Sequence, residues 1–300
     1  MRINDAHCHF FSRRFFEALG RQVGTFPEGD LAAAVARTLD WEAPGEAPDL
    51  ADRWCTELDR QGVTRAVLIA SVPGDAGSVV AAVGRHPTRF VGFAMVDPTK
   101  PDALEAVRPA CAAGTLRGLC LFPAMFHHRL DEEPARAVFE LARAHPGTAV
   151  FVHCGVLSVG VRGRLGLASP FDLRLGQPLD LLPVAAEFAD VPIVIPHFGA
   201  GFFREALMLA DARPNVYVDT SSSNGWVKFH PGLTLSEVFA RAIQIVGPER
   251  LLFGTDSSFF PRGWHRPVLD TQQEVFDVLG LDPGVRARIL GDTFDRLFPL

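Results

Sequence analysis

Residues 5–10 read Asp5-Ala6-His7-Cys8-His9-Phe10, an H-x-H motif at the end of the first apolar run. In an extended strand successive side chains alternate faces, so His7 and His9 point the same way and can grip one metal ion, while Cys8 points to the opposite side. Three other strand-like runs stop in the same manner: Thr148 to His153 before Cys154-Gly155, Ile193 to His197 before Phe198-Gly199, and Leu251 to Asp256 through Phe253-Gly254-Thr255. One histidine at a strand end is usually no more than a polar terminus. Four apolar runs that each stop on a metal-ligand type of residue point instead to a shared metal centre.

Working outward from these runs, strands are expected at Ile3–His7, Thr64–Ala70, Phe90–Val96, Leu116–Phe122, Thr148–His153, Pro192–His197, Asn215–Asp219 and Arg250–Thr255. Between them, apolar residues at three-to-four spacing predict helices over Leu50–Gln61, Ala76–Arg85, Asp102–Ala113, Glu132–Ala144, Leu179–Phe188, Gly201–Ala210, Leu235–Val246 and Val268–Leu279. Parallel strands need crossover helices, and eight alternating units close a sheet on itself, so the fold class is α/β, a (β/α)8 TIM barrel forming one domain over residues 1–300. Gly284–Phe298 is expected to add a helical segment across the outside. Active sites of such barrels lie at the C-terminal strand ends, which is where His7, His9, His153, His197 and Asp256 all fall.

Local chemistry supports several boundaries. Asp131-Glu132-Glu133-Pro134 places acids and a proline where a helix start favours them. His86 and His145 each precede a proline at a helix end and are set aside as surface residues. The connection from Phe10 to Asp49 is long and carries Phe10, Phe11, Phe15, Phe16 and Phe26. It is a lid-like insertion after strand 1, either folded over the barrel mouth or packed against the outer helices. The loop after strand 5, Val156–Gln177, offers Arg162, Arg164 and Arg174 to a substrate anion or to solvent.

The chain has 300 residues, 48% of them hydrophobic, enough for a sizeable core. A net charge of −6 without a basic run gives no reason to expect a nucleic acid or an anionic membrane as partner. Lys100 and Lys228 are the only lysines. Five cysteines with no C-x-x-C pair suggest reduced thiols and a cytoplasmic location, and no apolar leader or run of spanning length is evident. A small-molecule substrate is the expected partner, with a homodimer as the assembly considered.

The motifs Asp5-Ala6-His7-Cys8-His9, Phe151-Val152-His153, Pro196-His197-Phe198-Gly199 and Gly254-Thr255-Asp256 resemble those of the amidohydrolase superfamily. The resemblance is to the branch that includes aminocarboxymuconate-semialdehyde decarboxylase. It implies one divalent metal ion, zinc or else manganese, held by His7, His9, His153 and Asp256, with His197 beside it as an acid/base or electrostatic residue. Two-metal relatives carry a lysine on strand 4, where this chain has Arg117-Gly118-Leu119-Cys120-Leu121-Phe122. Cys120 near that position is either a ligand or a plain buried thiol.

Such a centre supports two reactions. In the first, a metal-bound hydroxide attacks an amide, lactone or ester carbonyl, Asp256 moves the proton and His197 steadies the oxyanion. In the second, an aromatic or unsaturated acid is decarboxylated while an arginine holds the departing carboxylate. Hydrolysis is the favoured reading, and a silent barrel with a structural metal stands as a third. Substrate contacts are expected from Arg262 and Trp264 after strand 8, from Lys228 beyond Ser221-Ser222-Ser223 after strand 7, and from His127 after strand 4.

Overall fold

A computed structural model describes residues 1–27, 29–222 and 224–300; Glu28 of the insertion and Ser223 of the strand-7 loop lie outside them. Eight strands form: β1 Asn4–Phe10, β2 Arg65–Ala70, β3 Phe90–Met95, β4 Leu116–Leu121, β5 Ala149–Val152, β6 Ile193–Ile195, β7 Val216–Asp219 and β8 Leu251–Leu252. All pair in parallel in the order β1 to β8. The seam between β8 and β1 is closed by backbone bonds beyond the regular ladder: Ala6 N to Phe253 O (2.8 Å), Asp256 N to His7 O (2.9 Å) and His9 N to Ser257 O (2.7 Å). The result is a nearly closed (β/α)8 barrel.

The alternation of side chains builds two layers of core. Val67, Ile69, Phe93, Phe151, Val194 and Leu252 fill the barrel interior. Their neighbours in the strands, such as Leu68, Leu119 and Val150, pack outward against the helices. Cys8 lies in that outer layer while His7 and His9 face the mouth, as the H-x-H parity requires. Among the described residues, no helix is long and apolar enough to cross a membrane.

The helices follow the apolar spacing closely. Ala76–Arg85 and Leu235–Val246 form over the expected residues, and Ala47–Gln61 extends one turn earlier because Pro48 suits its first turn. Leu179–Phe188 instead divides into a 3-10 turn, Pro178–Leu181, and a short helix, Leu182–Glu187, each opened by a proline that lacks an N–H. The strands β6 and β8 are shorter than expected. Pro196 supplies no ladder donor, and His197 and Phe198 turn to φ of 55° and 53°, so β6 stops at Ile195.

Two outer segments depart from or refine the sequence reading. The tail does not run across the outside of the barrel. It forms Pro283–Ala287, a π-turn over Arg288–Asp292 and Thr293–Leu297, and it inserts Phe294 and Phe298 into the interior layer at the end opposite the histidines. Polar groups at the strand starts fix it there: Arg65 donates to Asp295 (2.9 Å) and to Phe298 O (2.7 Å), and Asn4 donates to Asp295 (2.9 Å). The barrel floor needs apolar filling, and the tail provides it.

The insertion folds as a helical hairpin, Arg13–Val23 and Leu31–Leu39, with a small core of its own around Phe15, Phe16, Leu19, Val35 and Leu39. Ser12 and Asp30 cap the two helices by accepting from Phe15 N and Ala33 N. Phe10 belongs to the outer layer, whereas Phe11 and Phe15 reach the mouth, so the phenylalanines divide between both expected roles.

Replacing Phe298 by Ala should open a cavity in the barrel floor and cost about 3–5 kcal/mol. Urea unfolding of the metal-free variant and parent measures this directly.

Candidate metal centre

The centre is built from the second nitrogen of each imidazole outward. Asp219, at the end of β7, is fully buried, and its Oδ2 lies 2.8 Å from His7 Nδ1. Burial alone would raise the Asp219 carboxyl, but the attraction and hydrogen bond of the His7 ring, with help from His197 and Ser221, hold it below the usual range. An ionised carboxylate only accepts, so His7 carries its proton on Nδ1. His9 Nδ1 lies 2.7 Å from Ser71 Oγ, and that hydroxyl already donates to Ile69 O at 2.9 Å. Ser71 must therefore accept from His9 Nδ1.

Burial disfavours the His7 charge, but Asp219, Asp256 and Asp5 favour it and raise its proton affinity. In the neutral rings these tautomers leave the Nε2 lone pairs of His7 and His9 facing each other at 3.3 Å. Asp256 Oδ1 joins them at 3.3 Å from His9 Nε2 and 3.8 Å from His7 Nε2. Three acceptors converging at these distances repel one another unless a cation lies among them, and the donor set suits zinc or manganese. Without a cation, protons on these rings take its place: burial would raise the Asp256 carboxyl, yet a hydrogen bond from His9 and the charges of His7, His9 and His197, when protonated, hold it well below the carboxylate range.

His153 and His197 complete the floor of the mouth, their rings 5.4 Å apart. Burial lowers the proton affinity of both, His153 most strongly, so both are neutral at pH 7. His153 Nδ1 is buried without a hydrogen-bond partner among the described residues. His197 Nδ1 meets Ser221 Oγ at 2.8 Å. Gly155 makes this proximity possible: it sits at φ 76°, and a Cβ there would come within 2.3 Å of Ala200 O.

His197 and Asp256 adopt left-handed backbone, φ 55° and 60°. Such residues cost about 1–3 kcal/mol each and persist only where their surroundings fix them.

His7, His9, His153, His197 and Asp256 all line one cavity of about 340 Å³. Its walls are mostly apolar, with Phe11 and Phe15 from the insertion, Met95 and Phe122 from the strand ends, and Trp226 from the strand-7 loop. Lys228 also lines it, and no arginine does among the described residues.

The other expected contacts lie elsewhere. Trp264 is buried behind the strands and donates from Nε1 to Asp5 Oδ2 at 2.6 Å. Arg262 braces the backbone, donating to Asp256 O (3.2 Å) and Ser258 Oγ (3.0 Å) while stacking on Phe259. His127 bonds Pro170 O at 2.6 Å, outside the cavity. Cys120 is a plain interior thiol, pushed well up by burial and surrounded by the inner core. Arg162 and Arg164 are spent on Gln22 and Leu39 of the insertion, and Arg174 on Asp172.

Sequence reasoning missed Asp219, Ser71 and Ser221. Asp219 ends the apolar run Val216-Tyr217-Val218, so the same rule that singled out Asp256 would have found it.

A family model described as amidohydrolase matches residues 4–300, and the chain belongs to that family. Among solved structures, a 5-carboxyvanillate decarboxylase from Novosphingobium aromaticivorans superposes with a TM-score of 0.68 and 14% identity, over 100% of this chain and 97% of that one. That structure holds manganese and 3-methoxy-4-hydroxy-5-nitrobenzoic acid. A protein from Acinetobacter baumannii described as a probable 2-pyrone-4,6-dicarboxylic acid hydrolase, with citric acid bound, gives a TM-score of 0.61 and 16% identity over 100% of both chains. At such identities the likeness is one of fold. Protein fluG of Emericella nidulans is 30% identical over 108 residues, which is 35% of this chain and 12% of that protein's length.

Asp219→Asn should leave His7 in place but weaken its basicity, lowering metal affinity by roughly 10- to 100-fold. Competition with a chromogenic chelator reads this out.

Proposed function

We propose that this chain is a metal-dependent hydrolase of the amidohydrolase type. It acts on the carbonyl of an amide, lactone or ester with a small, largely apolar body and one anionic group. The observation that carries this reading is the convergence of His7 Nε2, His9 Nε2 and Asp256 Oδ1, each nitrogen made an acceptor by its neighbour's hydrogen bond. His7, His9 and Asp256 would hold the ion, with His153 as the fourth ligand. A divalent ion bound there supplies Lewis acidity and lowers the pKa of a water to about 7.

The chain's own groups account for the rest of the reaction. Asp256 is ionised and half-buried, so its carboxylate can take a proton from the attacking water and return it to the leaving group. His197 is anchored at Nδ1 by a hydroxyl, which can donate or accept. When that hydroxyl donates to Nδ1, which also lies 3.3 Å from Ser221 O, the ring carries its proton on Nε2 and can there stabilise an oxyanion. The apolar walls exclude bulk water and strengthen these interactions, and Lys228 offers one positive charge to a substrate anion.

Decarboxylation of an aromatic acid is the second reading, favoured by the aromatic walls and by the likeness to the decarboxylase fold. Against it stands the absence, among the described residues, of a cavity-lining arginine to hold the departing carboxylate. The silent-barrel reading leaves His197 and the open cavity without a use.

Protein purified without tag or chelator should contain about one zinc or manganese per chain by plasma mass spectrometry. Incubated with lactones, amides and aromatic acids, it should release titratable acid without carbon dioxide. Carbon dioxide release would establish the decarboxylase instead, and no metal uptake on reconstitution would refute both.

His153→Ala should lose metal and turnover together, whereas His197→Ala should keep the metal and lose turnover. Full activity in either variant would remove that residue from the site.

A further inference from the structure

The seam that closes the barrel contains a buried carboxylate that the reaction above does not use. Asp5 is fully buried beside β8 and receives four donors. His7 N (2.9 Å) and Thr255 N (3.1 Å) bond to Oδ1, and Thr255 Oγ1 (2.5 Å) and Trp264 Nε1 (2.6 Å) bond to Oδ2. No lysine or arginine pairs with Asp5 among the described residues. A merely structural seam could be sealed by apolar packing, whereas a buried carboxylate is tolerated only where donors are fixed around it.

Burial pushes the Asp5 carboxyl up and these hydrogen bonds pull it back; with Asp5 ionised, the hydrogens of this network run in one direction. Thr255 spends its hydroxyl hydrogen on Asp5, so Ser257 Oγ, 2.6 Å away, must donate to Thr255 Oγ1. Ser257 Oγ in turn accepts from His265 N at 2.8 Å. The chain runs His265 N–H to Ser257 to Thr255 to Asp5, binding the residues on both sides of Asp256. The regular ladder of β8 ends at Leu252, so these contacts, the three seam bonds and the Arg262 bond to Asp256 O hold Asp256 at φ 60°. Trp264, whose backbone N–H donates to Glu57 Oε1 at 3.1 Å, ties the network to the helix Ala47–Gln61.

We propose that Asp5, through Thr255 and Trp264, is a positioning residue that sets the Asp256 carboxylate against His7 and His9 for metal binding. This rests on the reading of Asp256 as a ligand.

Two variants test it: the near-isosteric Thr255→Val removes the hydroxyl, and Trp264→Phe removes the indole N–H and part of the ring, leaving a small cavity in the buried site. Zinc affinity is measured by chelator competition, and the visible ligand-field bands of the cobalt(II)-loaded protein report the ligand geometry. Phe298→Ala, which weakens the opposite end of the barrel, is the control for lost stability.

Zinc affinity should fall roughly 10-fold in Thr255→Val and measurably in Trp264→Phe, with shifted cobalt bands. Phe298→Ala should keep parental affinity and bands despite its lower unfolding midpoint. If Thr255→Val does not fold, Trp264→Phe decides alone. Parental zinc affinity and cobalt bands in the folded variants would overturn the inference while leaving the metal centre intact, as would losses that merely follow stability across all three. A parent protein that takes up no zinc would overturn the inference and the metal-dependent reading together.

Discussion

Two imidazole lone pairs and a carboxylate oxygen within 3.3–3.8 Å of one another make a pocket of negative potential that only a proton or a bound cation relieves. Asp219 and Ser71 hold the protons of His7 and His9 on the far side of the rings, so neither imidazole can turn a donor inward without losing a buried hydrogen bond. Much of the surrounding structure maintains this arrangement. The left-handed turns at His197 and Asp256, the glycine at 155 and the closing of the seam all keep acceptors where free side chains would move apart.

The barrel resolves two opposite demands at its two ends. At the strand starts, Phe294 and Phe298 fill the interior and charged residues tie the tail across it, which makes that end dense and unreactive. At the strand ends the regular ladder gives way early in β6 and β8, and at the β8 seam side-chain bonds join isolated backbone ones. The same short strands that weaken the sheet free His197 and Asp256 to face inward.

The barrel was legible because strands buried on both faces read as apolar runs and the helices between them kept their spacing. His7, His9, His153, His197 and Asp256 were legible because each is a polar residue that ends such a run. What stayed hidden depended on direction rather than on residue type. Trp264 and Arg262 follow strand 8 as a substrate reader would, yet one indole turns behind the sheet to Asp5 and one guanidinium turns to the backbone of Asp256. Asp219 escaped because a lone aspartate at a strand end looks like ordinary punctuation until the histidine it orients is in view. The tail was misjudged because its two phenylalanines carry no mark of which surface they cover.

The hairpin after β1 does not stand alone at the mouth. Val161 of the strand-5 loop lies within the hairpin's core, Arg164 of the same loop donates to Leu39 O, and Trp41 of the insertion stacks on Phe259 of the strand-8 loop at 3.9 Å. Three segments far apart in the chain thus form one continuous wall. A change of length in any one of them exposes apolar surface on the other two, so inherited variation in the size of the entrance must come as matched changes in all three.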